Sequence, residues 1–369
     1  MNQPLNYKFY HSSETAWDAL YEAILGAQKN IFWEVYTLID DTAGNRFMDA
    51  LCAKARAGVE VKIIVDGVGS LSLSSLATAR LQSAGVNIVW HNKFKFDHRP
   101  KILFSRLWHR NHRKLLIIDE KIIFVGGVNV EIAASGWYDL HMKFVGEEMA
   151  KSLLNSFAGS YVSCGGRKRD VARYLKIKRK KFSLKDSPIN FFSHSPSNNL
   201  RNPFLLRRLF WRALRTAKDT FNLATPYYAP DVQFLQLISR AVRRGVKVSI
   251  ILPWRPDLKF MQWVAHTFYG LTRKAGGEIY FLPRMNHAKS FTVDGSLGMV
   301  GSVNLTPRSF FANQEVAAFF TDPNMVEDLK GIFSFWKNEA YPLSDVGWGK
   351  RGWYRRVREW WMRKISDYV

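Results

Sequence analysis

Apolar positions along the chain switch repeatedly between two periods. Ala16, Leu20, Ala23, Ile24 and Ala27 recur at helical spacing, and the run Asn30-Ile31-Phe32-Trp33-Glu34-Val35-Tyr36 that follows is almost continuously apolar. This is the pattern of an amphipathic helix leading into a buried strand. A second helix over residues 47–57 is expected to end at Gly58, and residues 59–65 form the next strand. A third helix over 73–84 stops at Gly85, before Val86-Asn87-Ile88-Val89-Trp90. Alternation of this kind predicts an α/β fold in which helices cover a sheet.

The second half of the chain replays the first. Leu209, Ala213, Leu214 and Ala217 give the helix and residues 220–225 the strand. The stretch Ala241-Val242-Arg243-Arg244-Gly245-Val246-Lys247-Val248 repeats Ala55-Arg56-Ala57-Gly58-Val59-Glu60-Val61, and Ala275-Gly276-Gly277-Glu278-Ile279-Tyr280 repeats Ala84-Gly85-Val86-Asn87-Ile88-Val89. An internal duplication is the reading: two similar domains over 1–164 and 188–344, each a mixed sheet flanked by helices and together forming a pseudo-twofold pair. The segment 165–187 holds ten Lys and Arg against Asp170 and Asp186, and reads as a basic linker. The first half also carries an insertion, roughly 91–108, that interleaves Phe94, Phe96, Phe104 and Trp108 with Lys93, Lys95 and Lys101. It reads equally as a packed surface loop or as a lip that touches lipid. The tail 345–369 places Trp353, Val357, Trp360, Trp361, Ile365 and Tyr368 on one helical stripe among arginines. Such a stripe is either docked on its own protein or interfacial at a membrane, and four tryptophans within the last 22 residues favour the membrane.

Charge narrows the partners. With 54 Lys+Arg against 31 Asp+Glu the formal net charge is +23 over 369 residues, which points to an anionic partner, either nucleic acid or a membrane rich in acidic lipid. The two cysteines, Cys52 and Cys164, form no metal-binding spacing, so neither a zinc site nor a disulfide framework is expected. The first 25 residues lack the apolar core of a signal peptide, and no apolar run approaches the length needed to span a bilayer. Any contact with a membrane is therefore expected to be peripheral.

The chemistry sits in a stretch that occurs twice. His112-Arg113-Lys114-Leu115-Leu116-Ile117-Ile118-Asp119 and His287-Ala288-Lys289-Ser290-Phe291-Thr292-Val293-Asp294 share a His, a Lys two residues on and an Asp five beyond. In an extended strand residues i and i+2 share a face, so each His and Lys should point to the same side. Gly126-Gly127-Val128-Asn129 lies at the same offset from His112 as Gly301-Ser302-Val303-Asn304 does from His287. Phosphodiester exchange needs a nucleophile, a proton donor for the leaving oxygen and positive charge around the phosphoryl group. Two such motifs face to face supply all three, because an imidazole of pKa near ~6.5 can be neutral in one copy and charged in the other. Lys114 and Lys289 can do for the phosphate what a metal does elsewhere, so no metal and no cofactor are expected.

These residues, with Trp137-Tyr138-Asp139-Leu140-His141, Thr225-Pro226-Tyr227-Tyr228-Ala229-Pro230-Asp231, Leu305-Thr306-Pro307-Arg308-Ser309-Phe310 and Asn313-Gln314-Glu315, carry a resemblance. The chain resembles the phospholipase D superfamily, and within it the bacterial cardiolipin synthases, from about residue 16 to about 327. Thr306 stands where the synthases usually carry Asp, and the amino-terminal membrane-spanning region of some members is missing. The resemblance implies phosphatidyl transfer between glycerophospholipids through a phosphohistidine, with cardiolipin made from phosphatidylglycerol. A phospholipase D-type hydrolase, or a phosphodiesterase acting on nucleic acid, is the alternative. The resemblance makes His112 the nucleophile and His287 the acid/base, with Asn129, Asn304 and Ser302 at the phosphate. Gly127 stands at the first-half position of Ser302, so the halves are not equivalent. Glu315 becomes an orienting carboxylate, and Asp139 lies at nearly the equivalent distance after His112. Asp119 and Asp294, the last members of the motif, read as structural residues that fix the following turn. Glu34 is either a polar group near the site or the partner of a buried cation, and His141 sits two residues from Asp139 as a further supporting group. The implied location is the cytoplasmic side of the cell membrane, held peripherally, with anionic phospholipid as substrate.

Overall fold

The computed structural model describes residues 5–93, 105–178, 182–183, 187–196, 204–345 and 352–366. Most of the 91–108 insertion, including its phenylalanines, lies outside them. The first half runs β1 (Asn6–Ser12), α1 (Ser13–Gly26), β2 (Asn30–Val35), α2 (Thr42–Arg56), β3 (Glu60–Asp66), α3 (Ser75–Ser83), β4 (Asn87–His91), β5 (Leu115–Ile118), β6 (Ile122–Gly126), β7 (Tyr138–Val145) and α4 (Glu147–Ser163). Helices start where a side chain accepts a free backbone N–H: Ser12 from Thr15, Asp41 from Gly44 and Ser74 from Ala77. They stop at glycines in the left-handed region, Gly58 at φ 88° and Gly85 at φ 96°. A short helix α5 (Ala172–Leu175) leads out of this half. The second half runs β8 (Ile189–His194), α6 (Leu205–Thr216), β9 (Thr220–Ala224), α7 (Val232–Arg243), β10 (Lys247–Pro253), α8 (Lys259–Lys274), β11 (Glu278–Leu282), β12 (Ser290–Val293), β13 (Leu297–Gly301), α9 (Pro307–Phe311), β14 (Glu315–Phe320), α10 (Pro323–Glu339), β15 (Tyr341–Pro342) and α11 (Trp353–Ile365).

The strand orders display the duplication. One sheet reads β1-β7-β6-β5-β2-β3-β4, and the other, read from its far end, β8-β14-β13-β12-β9-β10-β11 with β15 added at the edge. In each, the strand that opens the helical repeat is parallel to the next and antiparallel to the motif strand: β2 pairs β3 in parallel and β5 antiparallel, as β9 pairs β10 and β12. The motif strands are buried on both faces. Leu115 and Ile117 point to a central core, whereas Leu116 and Ile118 point to the outer core under α1 and α2, the period-two alternation of a strand.

The central core joins the halves. Leu115, Val125 and Met142 of the first sheet pack with Val300, Val316 and Ala318 of the second, and Phe157 of α4 and Trp336 of α10 complete the layer. The basic segment expected to be a linker contributes to it, since Val171 and Tyr174 are fully buried there. The sequence shows only charge at that segment, and the structure shows that its apolar residues anchor it.

Candidate active site

Each motif histidine enters the site on a segment that pairs with the other half. The His112 N–H donates to Gln314 O (2.9 Å) and the Gln314 N–H to Arg110 O (2.8 Å), making a parallel bridge between Asn111 and Gln314. Symmetrically, the Tyr138 N–H donates to Met285 O (2.9 Å) and the His287 N–H to Tyr138 O (2.6 Å). Asn111 and Asn286 accept the N–H groups of Arg113 and Ala288, shaping the same turn twice. In the first half this entry is also clamped by charge. Asp66 holds the Arg110 guanidinium (2.7 Å) and the Asn111 N–H (2.8 Å), while Glu34 accepts from Asn111 (2.8 Å) and Arg113 (3.3 Å). Glu34 is thus the partner of a buried cation.

The crossed backbone gives crossed carboxylates. His112 Nδ1 lies 3.1 Å from Glu315 of the second half, and His287 Nδ1 lies 2.8 Å from Asp139 of the first. Spacing along the chain groups each carboxylate with its own half, and the fold exchanges them. The halves differ in what stands behind each carboxylate. Ser302 Oγ donates to Glu315 and accepts the Val316 N–H (3.0 Å), and it is fully buried away from the cleft. Ser302, expected at the phosphate, therefore acts on Glu315. At the matching Gly127 a Cβ would lie 2.1 Å from Asp139 Oδ1, so the shorter carboxylate occupies the space a serine would need.

Burial and neighbouring charge set the protonation of these groups. Burial first, then Lys114, Lys289 and His287, hold His112 well below the ordinary imidazole value. Burial pushes its partner Glu315 up to about 7. Burial and Lys289 also lower His287, with Asp139 opposing. For Asp139 burial is outweighed by His287 and Lys289, and its pKa falls. Both imidazoles are thus held below their ordinary value, while the two carboxylates move in opposite directions, Glu315 up and Asp139 down. Each ring turns Nδ1 to its carboxylate, which leaves Nε2 as the atom available to a substrate. Burial and Lys289 lower Lys114 well below its usual value, and burial brings Lys289 down to about 8. Each ammonium donates to the carbonyl of its own motif histidine, Lys114 at 3.0 Å.

His112 and His287 open into one cleft of about 240 Å³, shared with Tyr36, Asn129, Tyr227, Asn304 and Arg308. The Oδ1 atoms of Asn129, Asn304 and Asn313 are buried there without a partner. Arg110, Glu131, Asp257 and Arg308 also line the cleft and were not among the residues expected there. Arg308 stands inside a stretch that carries the resemblance and Arg110 just before the motif, which was the available signal; Glu131 and Asp257 carried none. Thr306 lines the cleft too, and its hydroxyl caps α9 by accepting from Ser309. Asp119 and Asp294 lie at the far ends of their strands, each in the left-handed region (φ 52° and 51°). Asp119 accepts the N–H groups of Gln28, Lys29 and Asn30, and Asp294 those of Lys218, Asp219 and Thr220. They tie the motif turn to the start of the neighbouring strand rather than reaching the cleft. His141, buried beside Phe124, leaves Nδ1 without a partner.

A duplicated α/β fold that crosses two His–carboxylate pairs, each histidine followed two residues on by a buried lysine, defines a two-motif phospholipase D-like enzyme. A family model described as cardiolipin synthase, PLD-like domain, matches residues 20–159 and 210–336, and the chain belongs to that family. The cardiolipin synthase of Oceanobacillus iheyensis is 31% identical over 98% of this chain and 74% of its own length. One from Clostridium perfringens is 31% identical over 98% and 76%. Among solved structures, phosphatidylserine synthase of Haemophilus influenzae Rd KW20 superposes with a TM-score of 0.73 at 15% identity, over 97% of this chain and 92% of that one. The last likeness establishes the fold.

Proposed function

We propose that the protein transfers a phosphatidyl group from one phosphatidylglycerol to a hydroxyl of a second, forming cardiolipin and glycerol. His112 Nε2 attacks phosphorus, the bond to the leaving glycerol oxygen breaks, and His287 gives that oxygen its proton. His287 then takes the proton of the incoming hydroxyl, whose oxygen attacks phosphorus and releases His112. Lys114 and Lys289 offset the charge on the non-bridging oxygens, with Asn129 and Asn304 donating to them.

The observation that carries this reading is the pair of crossed His–carboxylate contacts, His112 with Glu315 and His287 with Asp139, over a single cleft. The cleft is smaller than the roughly 300–1,000 Å³ of sites for drug-sized ligands, which suits a phosphoglycerol head group with the acyl chains left outside. Family membership and the positive charge support an anionic lipid surface as the setting, with the protein held peripherally on the cytoplasmic face. No helix among the described residues is long and apolar enough to cross a membrane. Incubation with labelled phosphatidylglycerol vesicles and, separately, with single-stranded DNA tests it. Cardiolipin and glycerol are the expected products. Phosphatidic acid alone would make the enzyme a hydrolase, and cleavage of DNA without lipid turnover would overturn the reading.

A further inference from the structure

Helix α11 rests on the protein by the side its sequence does not favour. Arg358, Met362 and Ser366, four residues apart, face inward: the Arg358 guanidinium lies 5.1 Å over the Trp263 ring of α8, Met362 packs on the second-half core and Ser366 is buried. Tyr354, Val357, Trp360 and Trp361 face solvent, the two tryptophans 55% and 56% exposed. Lys364 Nζ lies 3.8 Å and 5.1 Å from the centres of those two rings. A helix that only completed the fold would bury its apolar stripe. This one leaves Val357, Trp360, Trp361 and Ile365 outside.

Helix α8 does the same at its start. Phe260 and Trp263 are exposed, and Leu258, at the N-cap and 52% exposed, forms part of the cleft wall. Leu107 and Phe311, both beside the cleft-lining Arg308, are exposed as well: the Leu107 carbonyl accepts from Arg308, and Phe311 closes the same short helix. Exposed Arg255, Lys259, Arg363 and Lys364 are interleaved with these side chains. A second copy of the chain would bring like charge to like charge, whereas an anionic bilayer neutralises it.

We propose that the α8–α11 face, continuous with the cleft rim at Leu258, is the surface on which the protein lies against an anionic bilayer. Phe260, Trp360 and Trp361 sit at head-group level, and the cleft mouth opens onto the lipid. The inference rests on the lipid-substrate reading, because a cleft of about 240 Å³ must be brought to a lipid whose chains stay in the membrane. Two variants test it in the full chain, Trp360→Ala with Trp361→Ala, and Phe260→Ala, with thermal unfolding as the control for folding. Flotation with vesicles of equal phosphatidylglycerol and phosphatidylcholine in ~1 M NaCl, where charge is screened, is compared with turnover of vesicular and of monomeric short-chain phosphatidylglycerol. The double variant is expected to lose roughly tenfold or more in partitioning, from the apolar area withdrawn. Vesicular turnover falls in proportion, and monomeric turnover stays within about twofold, since these side chains do not touch the reacting atoms. Phe260→Ala shifts the same way by less. Unchanged partitioning in both variants overturns the proposal, as does a tryptophan variant that alters oligomeric mass in light scattering while floating normally, which would make the face an interface between copies. A native chain that floats but turns over neither form of the lipid refutes the substrate reading and leaves the surface standing.

Discussion

At the scale of single residues, the site consists of equal parts in unequal surroundings. Both histidines, both lysines and the asparagines were legible in the sequence, because a repeated spacing is a local property that survives without a fold. The carboxylate pairing was not legible. Glu315 and His112 are 203 positions apart, and only the strand crossing decides which carboxylate meets which ring. The role of Ser302 was hidden for the same reason. The charge of Lys289 gives a direct prediction. Its pKa is lowered to about 8 by burial, so the ammonium is present below that pH and lost above it. Because kcat/KM reports the free enzyme, it should fall about tenfold per unit as pH rises past about 8, where an ordinary lysine would hold its charge to about 10.4. A flat profile to pH 10 would show that Lys289 does not supply the charge.

At the scale of elements, the periodicity predicted the helix–strand alternation of each half, including the stops at Gly58 and Gly85. It did not reveal β1 and β8. Each is an outer strand, with an irregular exposure pattern along β1, and it becomes a strand by pairing with β7 or β14. Two positions just beyond the strands, Gly127 after β6 and Asp294 after β12, make opposite predictions. At Gly127 a Cβ would press on Asp139, so Gly127→Ala should displace the carboxylate that orients His287. We expect a loss of roughly 10²-fold in kcat, the size of a general acid–base contribution, with about 1–3 kcal/mol of overpacking cost. Asp294→Ala removes the acceptor of three backbone N–H groups far from the cleft. It should cost about 1–3 kcal/mol in unfolding free energy and leave kcat of the folded fraction unchanged. Chemical denaturation with steady-state kinetics separates the two, and a kcat defect in Asp294→Ala would mean that the motif aspartate takes part in chemistry.

At the scale of the whole molecule, the duplication was readable from the repeat, and the interlock was not, because a repeat does not tell how its copies face each other. The tail likewise read as docked or interfacial, and it docks by one side while exposing the other. With a net charge of +23, and each cation near an anionic surface contributing about 1 kcal/mol, attachment should weaken as salt shortens the Debye length from ~10 Å to ~3 Å. A chain truncated after Leu343 should leave anionic vesicles at ~1 M salt, and the full chain only partly. Equal release of both would assign the attachment to charge alone. The central claim is that the crossed dyads divide the labour, with His112 bonding to phosphorus and His287 moving the proton. Peptide mass spectrometry after rapid denaturing quench of the native chain with phosphatidylglycerol tests it most directly. The account predicts a phosphatidyl adduct on His112, absent from His112→Ala and retained in His287→Ala. An adduct on His287 in the native chain would contradict it.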